Sequence, residues 1–424
     1  MAREPLVGNR LGSARSRNPQ LRCGDRPIRV VSVARMGPIG GDQNRLLQTA
    51  LAFDRTTVEH TVLIVDSGDG LSDGESARWQ DMLDDYAEAG TEVVNLSPGH
   101  SLRYRTGASP IDLVRRIHGE FSRRRPDVVD ARMGMPGTLA LPAAKAARVP
   151  VLTLTAYYPS LFAPPIRYLL GQAVLQGIDA LISDARATLD DFDAWRWTGH
   201  AELVLIPNGI RPADSTLTRR EARAALGLPA EPGTTVIGQI SRVIPRKAFD
   251  LFLHAARLVL DVRPDVHFAV IGFVSEEDRA YLQALRDLAA QLDIADSVTF
   301  VSHPGPVGDA FRSVDIFAHL SHADSSPFAI HEAMSAGTPS VITALPGNLE
   351  IVTDEVTGLL VPPADAAAAA GAFLRLVDDP ELAERLGAGA LERYRERHTP
   401  ETMAQAHVDL YRRLLAAKAG RRHG

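Results

Sequence analysis

Residues 321–350 read SHADSSPFAIHEAMSAGTPSVITALPGNLE. This stretch predicts a loop that opens a helix, then a small-residue turn at 335–339 and a β-branched run. It carries two carboxylates, Asp324 before the helix and Glu332 within it. A helix N-terminus offers unpaired N–H groups and the positive end of the helix dipole, which together can seat a phosphate. Because carboxylates beside that seat can accept hydrogen bonds from sugar hydroxyls, the stretch predicts a nucleotide-sugar site.

Strand and helix signals alternate on both sides of this stretch, which is typical of α/β folds with parallel sheets. The alternation runs from 28–34 to 203–206, restarts at 236–240 after a Pro- and Gly-containing segment, and becomes helical from 365 onward. We therefore predict two doubly wound, Rossmann-like domains facing across a cleft. The expected boundaries are a disordered tail at 1–27, a first domain at 28–211, a linker at 212–235, a second domain at 236–398 and a helix at 399–424 that returns to the first domain.

The composition fits two domains and excludes several functions. The chain has 424 residues, of which 45% are hydrophobic and 23% charged, and its formal net charge is −6. That charge argues against a general nucleic-acid binder. One cysteine, Cys23, excludes an intrachain disulfide and a cysteine-built zinc site, and favours a cytoplasmic setting. The sequence contains no run of about 18 apolar residues, so we predict no transmembrane helix.

Two cations, Arg242 and Lys247, follow directly on the strand predicted at 236–240. In a doubly wound sheet, ligands bind outside the carboxyl ends of the strands, so both side chains should lie at the cleft. Fixed cations there would stabilise the negative charge that a departing diphosphate accumulates. Taken alone, the pair is better explained by a solvated basic loop, because such loops are common. The nearby carboxylates in the same domain favour the functional interpretation.

Glu332 and Asp324 each admit two interpretations. Glu332, early in its predicted helix, could chelate the two vicinal hydroxyls of a ribose, or merely stabilise the helix dipole. Asp324 could hold hydroxyls of a donor sugar, or act as a turn or capping residue.

The order of these motifs resembles the retaining glycosyltransferases of family four, which have the GT-B fold. The resemblance rests on Arg242 and Lys247, on the segment from Asp324 through Glu332 to Pro339, and on residues 346–350. In the first half, residues 40–43, 179–183 and 206–210 look like that family's early Gly-Gly loop and its last strands before the linker. It covers roughly residues 28–415.

The resemblance implies transfer of a hexose-type sugar from a nucleotide diphosphate sugar to a hydroxyl acceptor, with retention and without a metal or cofactor. It assigns the diphosphate to Arg242 and Lys247, the donor sugar to Asp324 and the ribose to Glu332. The remaining donor-binding residues that it implies are Gly40, Gly41, Arg132, Val301, Ser302, Ser325, Ser326, Pro327, Phe328 and Ala329.

Two positions depart from the family's pattern. The family usually has Glu where this chain has Asp324, and the shorter side chain draws the carboxylate back by about one bond length. The family often has a His in the first domain where this chain has Arg132. That Arg would suit an acidic acceptor or sugar, and a structural salt bridge explains it as well.

Several alternatives stay open from the sequence. A phosphorylase-like enzyme that uses free phosphate and a pseudoenzyme that binds a nucleotide sugar would both fit the motifs, whereas a dehydrogenase is disfavoured because residues 28–41 lack the Gly-x-Gly-x-x-Gly spacing. The Asp191-Phe192-Asp193 string falls in a predicted helix and indicates a solvated face rather than a metal site. The basic amphipathic segment 110–125 predicts a crossover helix, with peripheral contact to the inner face of a membrane as the alternative. An Ala- and Arg-rich composition points to a bacterial source.

Overall fold

Two parallel β-sheets form the framework of the computed structural model, which describes residues 26–35, 40–65, 73–96, 110–157, 176–194, 199–302 and 307–421. The first sheet has strand order β3-β2-β1-β4-β5-β6-β7 and the second β10-β9-β8-β11-β12-β13. The strands are β1 Ile28–Ala34, β2 Val58–Ile64, β3 Glu92–Asn95, β4 Val128–Arg132, β5 Val151–Thr155, β6 Ala180–Ser183, β7 Glu202–Leu205, β8 Thr235–Ile240, β9 Val266–Gly272, β10 Val298–Ser302, β11 Ile316–His319, β12 Ser340–Thr343 and β13 Leu359–Val361.

Helices cover both sheets. In the described residues they are α1 Gly41–Ala52, α2 Asp73–Glu88, α3 Pro110–Arg124, α4 Met135–Ala146, α5 Arg186–Ala194, α6 Arg219–Ala225, α7 Phe249–Leu260, α8 Arg279–Gln291, α9 Val307–Ser313, α10 Phe328–Ser335, α11 Pro346–Ile351, α12 Ala366–Asp378, α13 Pro380–Arg397 and α14 Pro400–Gly420. Short 3₁₀ turns occur at Pro245–Lys247, Glu276–Asp278 and Ala295–Ser297.

The central strands are buried because parallel sheets are covered on both faces, whereas the edge strands β3, β7 and β10 are partly exposed. In β1 only Arg29 is partly exposed, and β4, β5 and β6 are buried throughout. Continuous apolar runs are therefore expected in place of strict alternation. All the strand pairs are parallel, which requires the crossover helices that the sequence pattern predicted.

Each sheet reverses its strand order at one place. In the first sheet β1 lies between β2 and β4, and in the second β8 lies between β9 and β11. At such a switch point the loops after the two central strands diverge, so a crevice opens outside their carboxyl ends. Gly40 follows β1, Arg242 follows β8 and Asp324 follows β11. The topology thus brings together loops that are far apart in the sequence.

The final helix packs back on the first sheet, as predicted. Thr399 caps α14 by accepting a hydrogen bond from the backbone N–H of Thr402, and Pro400 occupies the first turn. Met403 and Leu410 of α14 pack against Ile182 of β6 in one apolar cluster. This contact fastens the end of the chain to the first domain.

The rest of the fold can be compared with the sequence-based expectations. The short edge strand β13 was not predicted, because three apolar residues are too few to show a period. The apolar face of α3, formed by Leu113, Ile117 and Phe121, is buried in the first-domain core beside α4. Among the described helices, none is long and apolar enough to cross a membrane. Residues 1–25 of the expected tail lie outside the described residues.

Candidate functional site

A cleft of about 1050 Å³ lies between the two sheets and is lined by residues from both halves of the chain. The first half contributes Arg35, Gly40, Gly41, Asp42, Asn44, Val65, Met133, Gly134, Met135, Pro136, Thr138, Tyr157 and Asp184. The second half contributes Ile240, Ser241, Arg242, Arg246, Lys247, Ile271, Gly272, Phe273, Val307, Asp324, Ser325, Ser326, Pro327, Phe328, Ala329 and Glu332. Eleven of the fourteen site residues predicted from the sequence are in these two sets.

Lys247 is fixed by the turn that follows β8. The 3₁₀ turn Pro245–Lys247 ends at Ala248, whose φ of +48° is in the left-handed region. Such a φ is uncommon for a residue other than glycine, and here it lets α7 begin directly after the turn. Gln239 of β8 donates a hydrogen bond of 2.5 Å to the Lys247 carbonyl. The backbone around Lys247 is therefore tied to the strand that it follows.

The Lys247 ammonium forms an ion pair with Asp324. Its Nζ lies 2.9 Å from Oδ1 and 2.8 Å from Oδ2 of that carboxylate. Arg246 Nη1 is 3.3 Å from Oδ1, and His319 Nε2 is 3.0 Å from Oδ2. The side chains of Lys247 and Asp324 are only 11% and 6% exposed. One carboxylate thus has three basic side chains around it.

Burial and pairing act in opposite directions on this cluster. Burial alone would raise the pKa of Asp324, but the hydrogen bond from His319 and the charge of Lys247 outweigh it and hold that pKa well below its ordinary value. Burial lowers the pKa of Lys247, and Asp324 opposes that shift. Burial also lowers the pKa of His319, so a neutral ring donating its Nε2–H to the carboxylate is the favoured state.

Arg242 lies at the outer edge of the cleft. Its side chain is 48% exposed, and Nη2 donates a hydrogen bond of 3.0 Å to Asp278. An exposed pair of this kind contributes little to stability, so the guanidinium can turn toward an anion in the cleft at small cost. Arg242 and Lys247 therefore differ: Arg242 is exposed at the rim of the cleft, whereas Lys247 is buried inside it.

The loop and helix start for which the sequence predicted a phosphate seat are the segment before α10 and its first turn. The N-cap residue, Pro327, provides no side-chain hydrogen bond to that turn, and the Ile330 N–H donates to the Pro327 carbonyl at 3.2 Å, while Phe328 and Ala329 line the cleft. The preceding loop is held from both sides. Asn208 donates hydrogen bonds to the Ser326 carbonyl and hydroxyl, at 3.1 and 3.0 Å. A Cβ atom on Gly347 would come within 1.6 Å of the Ser325 carbonyl oxygen, so only glycine allows this close approach.

Glu332 points its carboxylate into the cleft from the second turn of α10. It is half-buried, and within the described part of the chain its carboxylate forms no hydrogen bond or ion pair. Burial raises the pKa of Glu332 from 4.5 to about 7. A carboxylate that is desolvated and unpaired in this way is suited to accept hydrogen bonds from a ligand.

Gly40 and Gly41 face α10 from the other wall of the cleft. A Cβ atom on Gly41 would lie 3.7 Å from the Phe328 ring, which is an ordinary van der Waals contact. The Gly40 N–H donates to Gln43 Oε1 at 3.1 Å, which closes the first turn of α1. At Gly40 and Gly41 the first domain therefore approaches the start of α10 without side chains in between.

Three predicted residues do not line the cleft. Arg132 is 2% exposed and lies behind the first-domain wall. Its Nη1 donates to the Tyr157 hydroxyl at 3.1 Å, and its Nε lies 3.6 Å from Asp42 Oδ1. Val301 and Ser302, at the end of β10, also lie outside the described lining.

Sequence reasoning did not assign several polar residues at the site, among them Asp42, Tyr157, Asp184 and Asn208. Asp184 and Asn208 each follow a strand or its turn, which was an available signal. The spacing of the others shows nothing special. Over the ranges that the structure describes, His, Cys, Asp and Glu side chains form no cluster of three or more that could hold a metal ion.

Comparison with protein families gives two matches along the chain. The glycosyl transferases group 1 family matches residues 219–393, and the glycosyl transferase 4-like domain matches residues 40–209. The D-inositol 3-phosphate glycosyltransferase of Streptomyces bingchenggensis is 30% identical over 321 residues, which are 70% of this chain and 69% of the relative. That of Streptomyces avermitilis is 31% identical over 265 residues, 60% of this chain and 56% of the relative. The match to the Streptomyces griseus protein covers 44% of that relative. This chain therefore spans about half the length of the Streptomyces avermitilis and Streptomyces griseus relatives.

Solved structures share the architecture. HepE from Anabaena in complex with UDP has a TM-score of 0.74 at 19% identity, covering 90% of this chain and 99% of that one. A glycosyltransferase from Rickettsia africae has a TM-score of 0.75 at 14% identity, covering 92% and 99%. Sucrose-phosphate synthase from Thermosynechococcus elongatus has a TM-score of 0.68 at 20% identity, covering 92% of this chain and 100% of that one. At these identities the likeness shows a shared fold, the GT-B arrangement of two Rossmann-like domains.

Proposed function

Because this chain belongs to the glycosyl transferases group 1 family, we propose that it transfers a hexose-type sugar from a nucleotide diphosphate sugar to a hydroxyl acceptor. One observation carries the proposal: Lys247, Arg242, the start of α10 and Glu332 line the same cleft. Two cations and a helix N-terminus suit a diphosphate, and an unpaired carboxylate suits a ribose. The solved complexes of HepE with UDP and with UDP-glucose support a uridine donor as the first to try.

The cations supply the chemistry in this proposal. The bond between the anomeric carbon and the diphosphate oxygen breaks, and the acceptor oxygen forms its bond on the same face of the sugar. The acceptor's proton passes to the departing diphosphate oxygen. Lys247 and Arg242 stabilise the charge that builds on that diphosphate, and N–H groups of the loop from Ser325 to Ala329 share it. No metal takes part.

Asp324 has a double role in this scheme. Its carboxylate keeps the Lys247 ammonium charged and in place before the donor arrives. When the diphosphate takes over the ammonium, an oxygen of Asp324 becomes free to accept a hydroxyl of the donor sugar. Glu332 holds the ribose hydroxyls, and the backbone at Gly40 and Gly41 approaches the phosphates from the first domain.

A donor panel tests the proposal. The protein is incubated with nucleotide sugars, starting with UDP-glucose, with and without D-inositol 3-phosphate, the compound named for the curated relatives. We expect nucleoside diphosphate release that EDTA does not abolish, and a product whose anomeric configuration matches the donor's by NMR. Lys247→Ala should lower turnover by about 10²–10³-fold. Lys145→Ala, an exposed lysine on α4, is the matched control.

The outcomes separate the candidate functions. Near-normal turnover by a folded Lys247→Ala protein would contradict the role given to the cations. Turnover that requires free phosphate would indicate a phosphorylase. Tight donor binding without turnover, in the presence of all acceptors tried, would indicate a pseudoenzyme.

A further inference from the structure

We propose that Asp184 binds a hydroxyl group of the acceptor, so that the first-domain wall of the cleft contains a polyol subsite. This inference rests on the proposed glycosyl transfer and adds a substrate contact to it. Asp184 was not among the site residues predicted from the sequence.

Asp184 lies at the start of the loop between β6 and α5. It lines the cleft from the first domain, and only 8% of the residue is exposed. Buried aspartates are rare unless they are paired, so its surroundings should show what holds it.

One carboxylate oxygen has a protein partner. Asn208 donates from Nδ2 to Asp184 Oδ2 at 2.8 Å, and Asn208 accepts from Arg45 Nη1 at 2.5 Å. Arg45 is fully buried and also donates to the Ile206 carbonyl at 2.8 Å. The orientation of Asp184 is therefore fixed by a buried chain of hydrogen bonds.

The other oxygen, Oδ1, is buried and has no hydrogen-bond donor among the residues that the structure describes. Leaving a buried acceptor unpaired costs roughly 1–3 kcal/mol, and more when it is charged. Nearly all buried polar groups in folded proteins are paired, and an exception calls for an explanation. Burial also raises the pKa of Asp184, and it outweighs the lowering by the nearby Arg45 charge and by the hydrogen bond from Asn208. A ligand hydroxyl donating to Oδ1 supplies the missing bond.

The position of Asp184 selects the acceptor as that ligand. Asn208 Nδ2 is shared between Asp184 and Ser326, so the carboxylate lies next to the donor loop but on the opposite wall. A group bound there would face the sugar from the first-domain side. Asp42 also lines this wall, and its Oδ1 likewise lacks a hydrogen bond, but the Arg132 guanidinium 3.6 Å away pairs with its charge. Among the described residues Asp184 forms no such ion pair, so its Oδ1 is the acceptor on this wall without a cationic partner.

The chemistry of this wall defines the class of acceptor. A negative, buried carboxylate favours a neutral hydroxyl and repels a phosphate. An acceptor that carries a phosphate should therefore direct a ring hydroxyl to Asp184 and keep its phosphate away from it. The expected acceptor is a polyol or a sugar rather than a simple alcohol.

The test compares Asp184→Asn with Asp191→Asn. Asparagine keeps the side-chain volume and an oxygen for Asn208, but replaces the charged acceptor at Oδ1. Asp191 is exposed on α5, so its variant makes the same charge change away from the cleft. Initial rates are measured with UDP-glucose and either D-inositol 3-phosphate or myo-inositol. The KM for the acceptor should rise about tenfold in Asp184→Asn, and the ratio of transfer to donor hydrolysis should fall. The Asp191→Asn protein should match the wild type.

A second measurement separates binding from a structural role. Inositols that lack one hydroxyl are used as acceptors for both proteins. If Asp184 binds that hydroxyl, an acceptor without it should bind the wild-type protein more weakly. Its affinity for Asp184→Asn should not fall further, because that variant has already lost the interaction. If the acceptor KM of Asp184→Asn is unchanged, this inference is overturned and the proposed function is not. A parallel loss of donor and acceptor affinity with a lowered unfolding temperature has the same consequence. Absence of transfer by the wild-type protein with any acceptor overturns the proposed function and this inference with it.

Discussion

Donor binding should depend on pH through the ionisation of Glu332. The pKa of this carboxyl is raised from 4.5 to about 7, because it is desolvated in the cleft and has no cationic partner in the described residues. Only the ionised form can accept hydrogen bonds from both ribose hydroxyls. With a pKa of about 7, roughly nine-tenths of the protein is ionised at about pH 8 and one-tenth at about pH 6. Donor affinity should therefore fall about tenfold between these values, a change of about 1.4 kcal/mol.

The assay is calorimetric titration with UDP-glucose, whose phosphates stay ionised throughout this range. His319 and His331 near the site are buried and have lowered pKa values, so they should remain neutral and not produce the step. In Glu332→Gln the affinity at about pH 8 should be roughly tenfold weaker and should no longer vary with pH. Glu384→Gln, at an exposed position on α13, should behave as the wild type.

The raised pKa of Glu332 also predicts how the stability of Glu332→Gln should compare with that of the wild type. Because the pKa in the folded state exceeds the ordinary value, the folded protein is stabilised by protonation and loses stability as pH rises from 4.5 to about 7. Above that window the penalty is fully present, at most about 3 kcal/mol for a shift of this size. Glu332→Gln should thus unfold at a higher temperature than the wild type at about pH 8, and the difference should shrink toward about pH 5.

Two results would refute the reasoning. One is donor affinity that stays constant between about pH 6 and pH 8 in the wild type. The other is a pH step that persists unchanged in Glu332→Gln, since another group would then be titrating.

Further predictions concern the ion pair, the donor loop and the final helix. Lys247→Ala should lower the unfolding temperature less in an Asp324→Asn background than alone, because the amide needs no counter-charge; additive effects in this double-mutant cycle would contradict a direct pair. Gly347→Ala should weaken UDP-glucose binding more than tenfold in calorimetric titrations, since its Cβ would lie 1.6 Å from the Ser325 carbonyl oxygen; wild-type affinity would mean that the loop is not held there. Leu410→Ala, which removes a side chain buried on the first sheet, should destabilise the protein by about 2–4 kcal/mol in urea unfolding, and an unshifted midpoint would contradict the packing of α14.

The two sheets could be predicted from the sequence. Buried parallel strands need continuous apolar runs, and such runs are visible without any knowledge of their neighbours. The bounds predicted at 28–34 agree with β1, and those predicted at 203–206 and 236–240 lie within one residue of β7 and β8. Where a strand is as short as β13, the local signal disappears and the prediction failed.

The sequence also predicted which loops meet. Arg242, Lys247 and Asp324 follow β8 and β11, and strands that flank a switch point open one crevice. A chain-order argument is therefore sufficient to place those loops at the cleft. It does not give the direction of any side chain.

The pairing of the charges, in contrast, is visible only in the folded protein. Lys247 and Asp324 are 77 positions apart, and Asn208 joins Asp184 to Ser326 across 24 and 118 positions. Arg132 ends a strand and Arg242 follows one, yet Arg132 is buried against Tyr157 while Arg242 lies at the rim. Local periodicity records whether a residue is buried, because burial depends on its own helix or strand. The distance between two charges depends on how separate elements pack, and no single stretch of sequence contains that distance.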